Sequence, residues 1–235
     1  ANPVKTIGQG IAHAVALGVS RVFIAAAVNG TSLTYQEDVT IPNGVTLEGR
    51  WAVTQAGALT WSRGGPRTLV VNTTPAGVKF APQAGRMSGL DGVMIRPVSG
   101  AMLSAGVTIS GASPLLDDFE VLTGALFVGS PSVESVGVLI AGNASPRLSG
   151  SAAVPSKVTA ASASLASIGV RVVNARVELQ SVDVSGGRVA DPSQNLVGVS
   201  AGLQLINSPQ STVKLAEING GLGRVCFGVL SQGNA

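Results

Sequence analysis

A short alternating pattern recurs along this chain at nearly even intervals. Each copy has a glycine, an aliphatic residue, a variable residue and a second aliphatic residue, and most copies close with glycine or asparagine two positions later. The spacings between copies are 33, 29, 31, 32, 33 and 26 residues, which indicates a structural repeat. The copies begin at Gly44, Gly77, Gly106, Gly137, Gly169, Gly202 and Gly228.

The alternation within each copy predicts a short strand with one buried face. We expect the aliphatic pairs, such as Val107 and Ile109, to face the interior, and the residue between them, such as Thr108, to face outward. Glycine and asparagine adopt the left-handed backbone at low cost, so the closing position predicts a tight bend after each strand. Pro82 occupies that position in the second copy, where we expect a different turn.

Two more strand-like segments follow within a period, for example residues 177–179 and 182–184. Three short strands in each period predict one coil of a right-handed parallel β-helix, whose coils pair in parallel about 4.8 Å apart. We therefore expect a single all-β domain over residues 1–235, with about seven coils, one for each copy of the repeat.

The N-terminal segment has a different period. Apolar residues at positions 7, 11, 14 and 15 have helical spacing, between a predicted N-cap at Thr6 and a predicted C-cap at Gly18. Because the first coil of a solenoid needs a cover, we expect this helix to be the cap. Residues 1–27 would then form the cap helix and first strand, and residues 28–235 the coils.

The last copy of the repeat predicts a different end for the solenoid. It begins at Gly228, and neither an amphipathic helix nor a charged segment follows it in this sequence. We expect the C-terminal coil to be open or truncated, so that a longer chain continues it or a second molecule associates with it.

Four segments follow one another in the first 50 residues: Thr6-Ile7, Val22-Phe23-Ile24, Tyr35-Gln36-Glu37 and the segment 44–49. Through them the first part of the chain resembles the pectin-lyase-like superfamily of right-handed parallel β-helices, in particular its uncharacterised bacterial surface-protein branch. The segment 27–34 departs from the family pattern, because the family usually has Pro-Gly before the tyrosine. Members include polysaccharide lyases, hydrolases and adhesins, so the resemblance implies an extracytoplasmic protein (cell surface, secreted or periplasmic) and a carbohydrate ligand.

The composition narrows the classes of partner. Charged residues make up only 11% of the chain and the net charge is +3, without a lysine and arginine cluster, so we expect no nucleic-acid partner. The sequence contains no run of about 18 apolar residues, so we expect no membrane span. Cys226 is the only cysteine, and we expect a small buried hydrophobe there; the alternative is half of a disulfide whose partner lies outside this sequence.

The residues that face outward at equivalent positions of successive coils form rows. These rows bear on catalysis, because enzymes of this superfamily place carboxylates on the outward face. One predicted row contains no carboxylate, and a second mixes both signs of charge. A third would bring Asp183 and Glu217 about 4.8 Å apart, as a candidate cation site or as two solvated side chains. The rows are Thr46, Lys79, Thr108, Leu139, Arg171 and Gln204; then Asp117, Ser149, Glu178 and Lys214; then Glu120, Thr159, Asp183 and Glu217.

Two further features resemble catalytic groups without their usual partners. Asp117-Asp118 is similar to the paired aspartates of polygalacturonase-like enzymes, but the Asn-Thr-Asp and Gly-His-Gly motifs of those enzymes are absent. His13 is the only histidine and lies on the predicted cap helix. We therefore expect no catalytic residue, no cofactor, and no cleavage of uronic-acid polymers.

The best candidates for ligand contact lie in the long insertion between Gly49 and Leu69. Aromatic faces stack on sugar rings and arginine binds carboxylates in a bidentate manner. The candidates are Trp51, Trp61, Arg63 and Arg67. The alternative is that the two tryptophans pack the insertion against the first coils.

We expect a non-catalytic extracytoplasmic structural or adhesive protein that contacts glycans or another cell-surface component. The alternative is a polysaccharide lyase or hydrolase.

Overall fold

The computed structural model describes residues 4–56, 58–98, 102–123, 132–151, 153–189 and 198–233. Helix α1 spans Ile7–Leu17. The strands are β1 Arg21–Val28, β2 Thr31–Ser32, β3 Thr34–Gln36, β4 Thr40–Ile41, β5 Thr46–Ala56, β6 Ala58–Arg63, β7 Thr68–Val71, β8 Val78–Phe80, β9 Gly89–Asp91, β10 Val93–Arg96, β11 Leu103–Ser110, β12 Leu115–Asp117, β13 Glu120–Leu122, β14 Ser132–Ala141, β15 Arg147–Ser149, β16 Ser156–Thr159, β17 Ala163–Val173, β18 Glu178–Gln180, β19 Val182–Ser185, β20 Val199–Ile206, β21 Thr212–Lys214, β22 Ile218–Asn219 and β23 Val225–Gln232.

Three parallel sheets run along the solenoid, and each coil contributes one strand to each sheet. Sheet 1 contains β1, β5, β9, β12, β15, β18 and β21, with β2 and β6 added in antiparallel fashion. Sheet 2 contains β3, β7, β10, β13, β16, β19 and β22, and sheet 3 contains β4, β8, β11, β14, β17, β20 and β23. The described chain thus forms seven coils of three strands, which confirms the predicted parallel solenoid.

Columns of identical or similar aliphatic residues fill the interior. In sheet 3, Val107, Val138, Val170 and Leu203 pair in register, and each is fully buried. Burying one such side chain stabilises a fold by about 1.5–3 kcal/mol. Because the column repeats in every inner coil, apolar stacking is the main source of stabilisation in the solenoid.

The repeated glycine has a steric cause. A Cβ atom on Gly137 would lie 2.3 Å from a methyl group of Val158 and 2.5 Å from the carbonyl oxygen of Gly169. Gly106 and Gly169 meet the sheet 2 valine of the following coil in the same way, at 2.1 and 2.5 Å. At these three glycines the sheet 3 strand therefore passes so close to sheet 2 of the next coil that only glycine fits.

The first copy of the repeat lies in a different sheet from the others, contrary to expectation. Thr46 belongs to β5 in sheet 1, where it pairs with Gly89. Thr40 of β4 is the residue that pairs with Lys79 in sheet 3. The alternating pattern specifies a strand with one buried face, but it does not specify which wall of the solenoid that strand joins.

The predicted bends are found in sheet 3. The closing residue has a positive φ, between 48° and 64°, in five copies. In the second copy Gln83, directly after Pro82, takes φ 67°, which is the different turn expected there. Gly49 has no positive φ, since its copy belongs to sheet 1, and Arg50 takes φ 64° instead. The five residues are Gly111, Gly142, Asn174, Asn207 and Gly233.

Helix α1 has the predicted caps. The Thr6 hydroxyl accepts a hydrogen bond from the Gln9 N–H at 3.1 Å. Gly18 adopts φ 64°, and its N–H caps the C-terminal turn. The buried face includes Ile7 and Ile11, which join the hydrophobic core of the first coils. The helix thus covers apolar side chains of the first coils, as the sequence predicted.

A carboxylate from the first coil anchors the N-terminal end of helix α1. The Glu37 oxygens accept hydrogen bonds from the N–H groups of Ile7 at 2.7 Å and Gly8 at 2.9 Å. The first N–H groups of a helix have no partner within it, and negative charge is favourable there. Glu37, the last residue of the Tyr-x-Glu segment, therefore attaches the cap to the solenoid.

The last coil leaves the interior columns uncovered. Val213 pairs with the fully buried Leu179 but is 42% exposed, and Val229 pairs with the fully buried Leu203 but is 50% exposed. Self-association or continuation through this coil stays a prediction. The expectation of a buried Cys226 is wrong: it is exposed on the same coil, and its thiol donates to the Gly223 carbonyl at 3.3 Å.

We expect Gly137→Ala to destabilise the protein by about 1–3 kcal/mol, because the new methyl group would overlap the backbone of the next coil. Gly85→Ala is the matched control, since the nearest atom to its Cβ would be Asn43 Oδ1 at 3.9 Å, and its cost should stay within about 0.5 kcal/mol. Urea unfolding monitored by circular dichroism measures both values. Equal stability of the two variants would contradict the steric explanation.

Candidate functional site

The insertion that carries the four candidate residues folds as a β-hairpin. Strand β5 continues beyond its coil and returns as β6, with Trp51 opposite Arg63 and Val53 opposite Trp61. The end of β1 pairs with the same part of β5, and β2 pairs with β1. Sheet 1 is therefore widened beside helix α1 into a four-stranded extension.

Three aromatic side chains come together on this extension. The ring centroids of Phe23 and Trp51 are 4.8 Å apart at an interplanar angle of 57°. Those of Trp51 and Trp61 are 6.4 Å apart at 65°, an edge-to-face arrangement of the kind that aromatic pairs prefer. Phe23 is 48% exposed and Trp61 38% exposed, so two of the three rings remain accessible.

A groove of about 1170 Å³ lies between helix α1 and this extension. We call it the aromatic groove. Its walls are mostly apolar side chains, and the few polar ones include His13, Arg21 and Tyr35. Burial raises the pKa of the Tyr35 phenol, against a smaller lowering by a hydrogen bond with the Ala25 backbone. The apolar walls include Leu17, Phe23, Trp51, Leu59 and Trp61.

Sequence reasoning missed Phe23 and Leu59 as groove residues. Phe23 lies between Val22 and Ile24, which are buried, so the alternation of β1 already placed its ring on the outer face. Leu59 carries no comparable signal, because its position depends on the hairpin.

Arg67 does not reach the groove. Its guanidinium donates to the Asp118 carboxylate at 3.0 and 3.1 Å, to Glu120 at 3.1 Å and to the Pro155 carbonyl at 3.3 Å. The side chain is only 13% exposed. With its nitrogens bound to partners on later coils, Arg67 acts as a clamp along the solenoid.

Arg50 reinforces this clamp from a left-handed turn. It donates to Asp118 at 2.6 Å and to the Gly65 carbonyl at 2.9 Å. Gly92 lies on the intervening coil, where a Cβ atom would come within 2.7 Å of the Arg50 side chain. The absence of a side chain at Gly92 lets the arginine reach across one coil to Asp118.

Three carboxylates form a row on the outward face of sheet 1, and none of the predicted rows contained this combination. Glu48 pairs with Asp91, Asp91 with Asp117 and Asp117 with Ser149. The predicted row placed Glu178 after Ser149, but Gln180 lies there. The error arose because Glu48 was assigned to no row and the turn lengths shifted the later register.

Each carboxylate in this row has a partner. Arg21 lies 3.2 Å from Glu48, Arg63 forms an ion pair with Asp91, and the Ser149 hydroxyl donates to Asp117 at 2.9 Å. Arg63 is thus bound to the solenoid, although its side chain is 44% exposed. The structure separates the four candidates into two tryptophans on the groove and two arginines in ion pairs.

The pKa of Asp91 lies above its usual value despite its ion pair. Burial of the carboxyl is the largest cause and raises the pKa; Arg63 lowers it by a hydrogen bond and by charge, and Asp117 and Glu48 raise it again. The desolvation of Asp91 and its acidic neighbours together outweigh one arginine. The surroundings of Asp91 therefore increase its affinity for a proton.

The candidate cation pair lies on sheet 2. The register pairs Val184 with Ile218, which puts Asp183 beside Glu217, as predicted. On its other side Asp183 pairs with Lys157, so the predicted Thr159 was wrong by two residues. Within the described ranges, no group of three or more histidine, cysteine, aspartate or glutamate side chains is placed to hold a metal ion.

Comparison with protein families, with curated proteins and with solved structures finds no match to this chain. The resemblance to the pectin-lyase-like superfamily therefore stays a prediction that rests on the sequence.

We expect Arg63→Gln to raise the pKa of Asp91 further, because the substitution removes the cation that lowers it. An acid with a raised pKa in the folded state costs stability as the pH rises through that pKa. At pH values where Asp91 is protonated in both proteins, the variant and the wild type should be equally stable. At higher pH the variant should be less stable than the wild type. Carbon-13 NMR titration of the Asp91 carboxyl and urea unfolding at several pH values measure both effects.

Arg86→Gln is the control for this substitution. Arg86 is half-exposed and lies 4.0 Å from its nearest acidic partner, Glu178, on another part of the surface. An unchanged Asp91 pKa in Arg63→Gln, or an equal change in both variants, would show that the ion pair does not govern this carboxyl.

Proposed function

We propose that this chain is a non-catalytic extracytoplasmic structural or adhesive protein, a right-handed parallel β-helix whose aromatic groove contacts glycans. Right-handedness follows from the rule that parallel strands connect by right-handed crossovers. The low charge content and the sequence resemblance support a place at the cell surface, in the periplasm or in secreted form. In the described part of the chain, no helix has the length and apolarity that a membrane crossing needs.

The observation that carries the proposal is the pairing of the carboxylates. General acid–base catalysis and calcium binding both need carboxylates that are free to meet a substrate or a cation. Asp118, half of the aspartate pair, lies between Arg50 and Arg67, and Glu120 also binds Arg67. These interactions favour carboxylates that hold coils together over carboxylates that carry out chemistry.

The exposed aromatic rings support glycan contact. Trp61 and Phe23 present partly accessible faces at the opening of the groove, where a sugar ring could stack. His13 on the opposite wall is exposed and can donate or accept a hydrogen bond.

One observation favours the alternative of a polysaccharide lyase or hydrolase. The row Glu48, Asp91 and Asp117 places three carboxylates side by side on one outer face, and the pKa of Asp91 is raised. A carboxyl with a raised pKa among acidic neighbours is typical of a general acid. Measurements of polysaccharide binding and cleavage distinguish the adhesive protein from the enzyme.

A panel of neutral and uronic-acid polysaccharides should be screened for binding and for release of chain ends. We expect binding without cleavage, weakened about threefold to tenfold in Trp61→Ala because one stacking contact is lost. Asp117→Ala should bind like the wild type. Release of unsaturated or reducing ends by the wild type that disappears in Asp91→Asn or Asp117→Ala would instead support the enzyme.

A further inference from the structure

Strand β6 is the outer edge of the four-stranded extension. Among the described residues it pairs with β5 alone, so the backbone N–H and C=O groups along its other side have no strand to bond. All six of its residues, from Ala58 to Arg63, are exposed. An edge of this kind is a template for a further strand, which supplies both the missing donors and the missing acceptors.

The usual protections of such an edge are missing from β6. Natural edge strands often carry lysine or proline, or are interrupted by a bulge, and these features discourage pairing. The β5–β6 ladder runs without a register shift, and residues 51–62 contain neither a charged residue nor a proline. The only charge of the strand is Arg63 at its end, which already pairs with Asp91. The chemistry of β6 thus favours pairing with another strand.

The side chains of β6 complement one another about a two-fold axis. Two identical edge strands related by such an axis run antiparallel, and opposite residues point to the same face of the joined sheet. With the axis at Thr60, Leu59 faces Trp61 of the second copy, and this contact occurs twice. Leu59 is 48% and Trp61 38% exposed, so both have apolar surface to cover. With the axis at Trp61, Leu59 would face Arg63 instead, and the apolar contact would be lost.

The hairpin keeps the two solenoids of such a pair apart. The Arg63 end of β6 adjoins the coils through Asp91, whereas Ala58 lies at the tip, opposite Ala56. An antiparallel partner therefore has its own coils beyond the tip of the first hairpin. A disordered strand from an unrelated protein would first have to be ordered, whereas β6 of a second copy is already extended and carries the matching side chains.

We infer that β6 docks against β6 of a second copy of this chain in antiparallel register, with Thr60 opposite Thr60. The ladder joins the two extensions into one sheet and brings both aromatic clusters to the same face. A single pair of edge strands buries less than the roughly 1,200 Å² of a stable interface, so we expect a reversible, concentration-dependent dimer. The inference goes beyond the proposed glycan contact, which one copy can make alone.

Sedimentation equilibrium over a range of protein concentrations measures the association. Thr60→Lys places like charges opposite each other and should weaken the dimer about fivefold, and Thr60→Glu should do the same. A mixture of these two variants should associate again, because opposite charges then meet at the axis. Circular dichroism verifies that each variant folds.

Thr54→Lys is the matched control. Thr54 is also exposed and pairs with Thr60, but it lies on β5, one strand away from the edge. The same charge is therefore added to the same hairpin without meeting its counterpart, and this variant should associate like the wild type.

Several results would overturn the inference. A wild type that stays monomeric at every concentration would leave the edge to a strand of another protein. A dimer that Thr60→Lys leaves unchanged, or that Thr60→Lys and Thr54→Lys weaken equally, would be held together elsewhere. A mixture of the Thr60→Lys and Thr60→Glu variants that fails to associate would mean that β6 meets a different surface. The polysaccharide screen tests the proposed function separately, so either one can fail without the other.

Discussion

The in-register stacking of coils constrains every other feature of this molecule. Because parallel strands of successive coils lie about 4.8 Å apart, each side chain meets its counterpart one coil away. Ser104, Ser135, Ser167 and Ser200 show the effect, since they pair in one column of sheet 3 and all are buried. The Ser104, Ser167 and Ser200 hydroxyls each donate to a backbone carbonyl in the segment that leads into their strand. A polar side chain can thus be buried in coil after coil when its hydrogen bond repeats with it.

The first coil and the last described coil expose more apolar surface than the inner coils do. At the N-terminal end, α1 covers much of it, attached by the Glu37 carboxylate. The aromatic groove is the space between the helix and the hairpin. At the C-terminal end the columns of Leu179 and Leu203 finish in Val213 and Val229, which are about half exposed. The aromatic groove, the candidate binding surface, thus lies at the N-terminal end of the stacked coils.

The few charged residues act mainly between coils. Arg67 connects its own coil to Asp118 and Glu120 two coils further on, and Arg63 reaches Asp91 on the next coil. Since the Arg67 side chain is only 13% exposed, its pairs are less screened than surface ion pairs, whereas the Arg63 side chain is 44% exposed. Burial of its carboxyl is the main cause of the raised pKa of Asp91, and Arg63 counteracts that rise by a hydrogen bond and by charge. Arg63 therefore favours the ionised form of Asp91 within the acidic row.

The sequence alone determined the repeat, the three strands of a coil and the helical cap with its termini at Thr6 and Gly18. These depend on local alternation, on positive φ and on the small space around glycines such as Gly137, all of which recur with the period. Only the tertiary structure decided which outward residues share a row. It aligned Gln180 rather than Glu178 with Ser149, and it brought Glu48 beside Asp91. The turns between strands differ in length from coil to coil, so counting along the chain loses the register by two residues. The groove likewise required the structure, because Trp51, Trp61, Phe23 and Leu17 come from segments whose contacts no local pattern encodes.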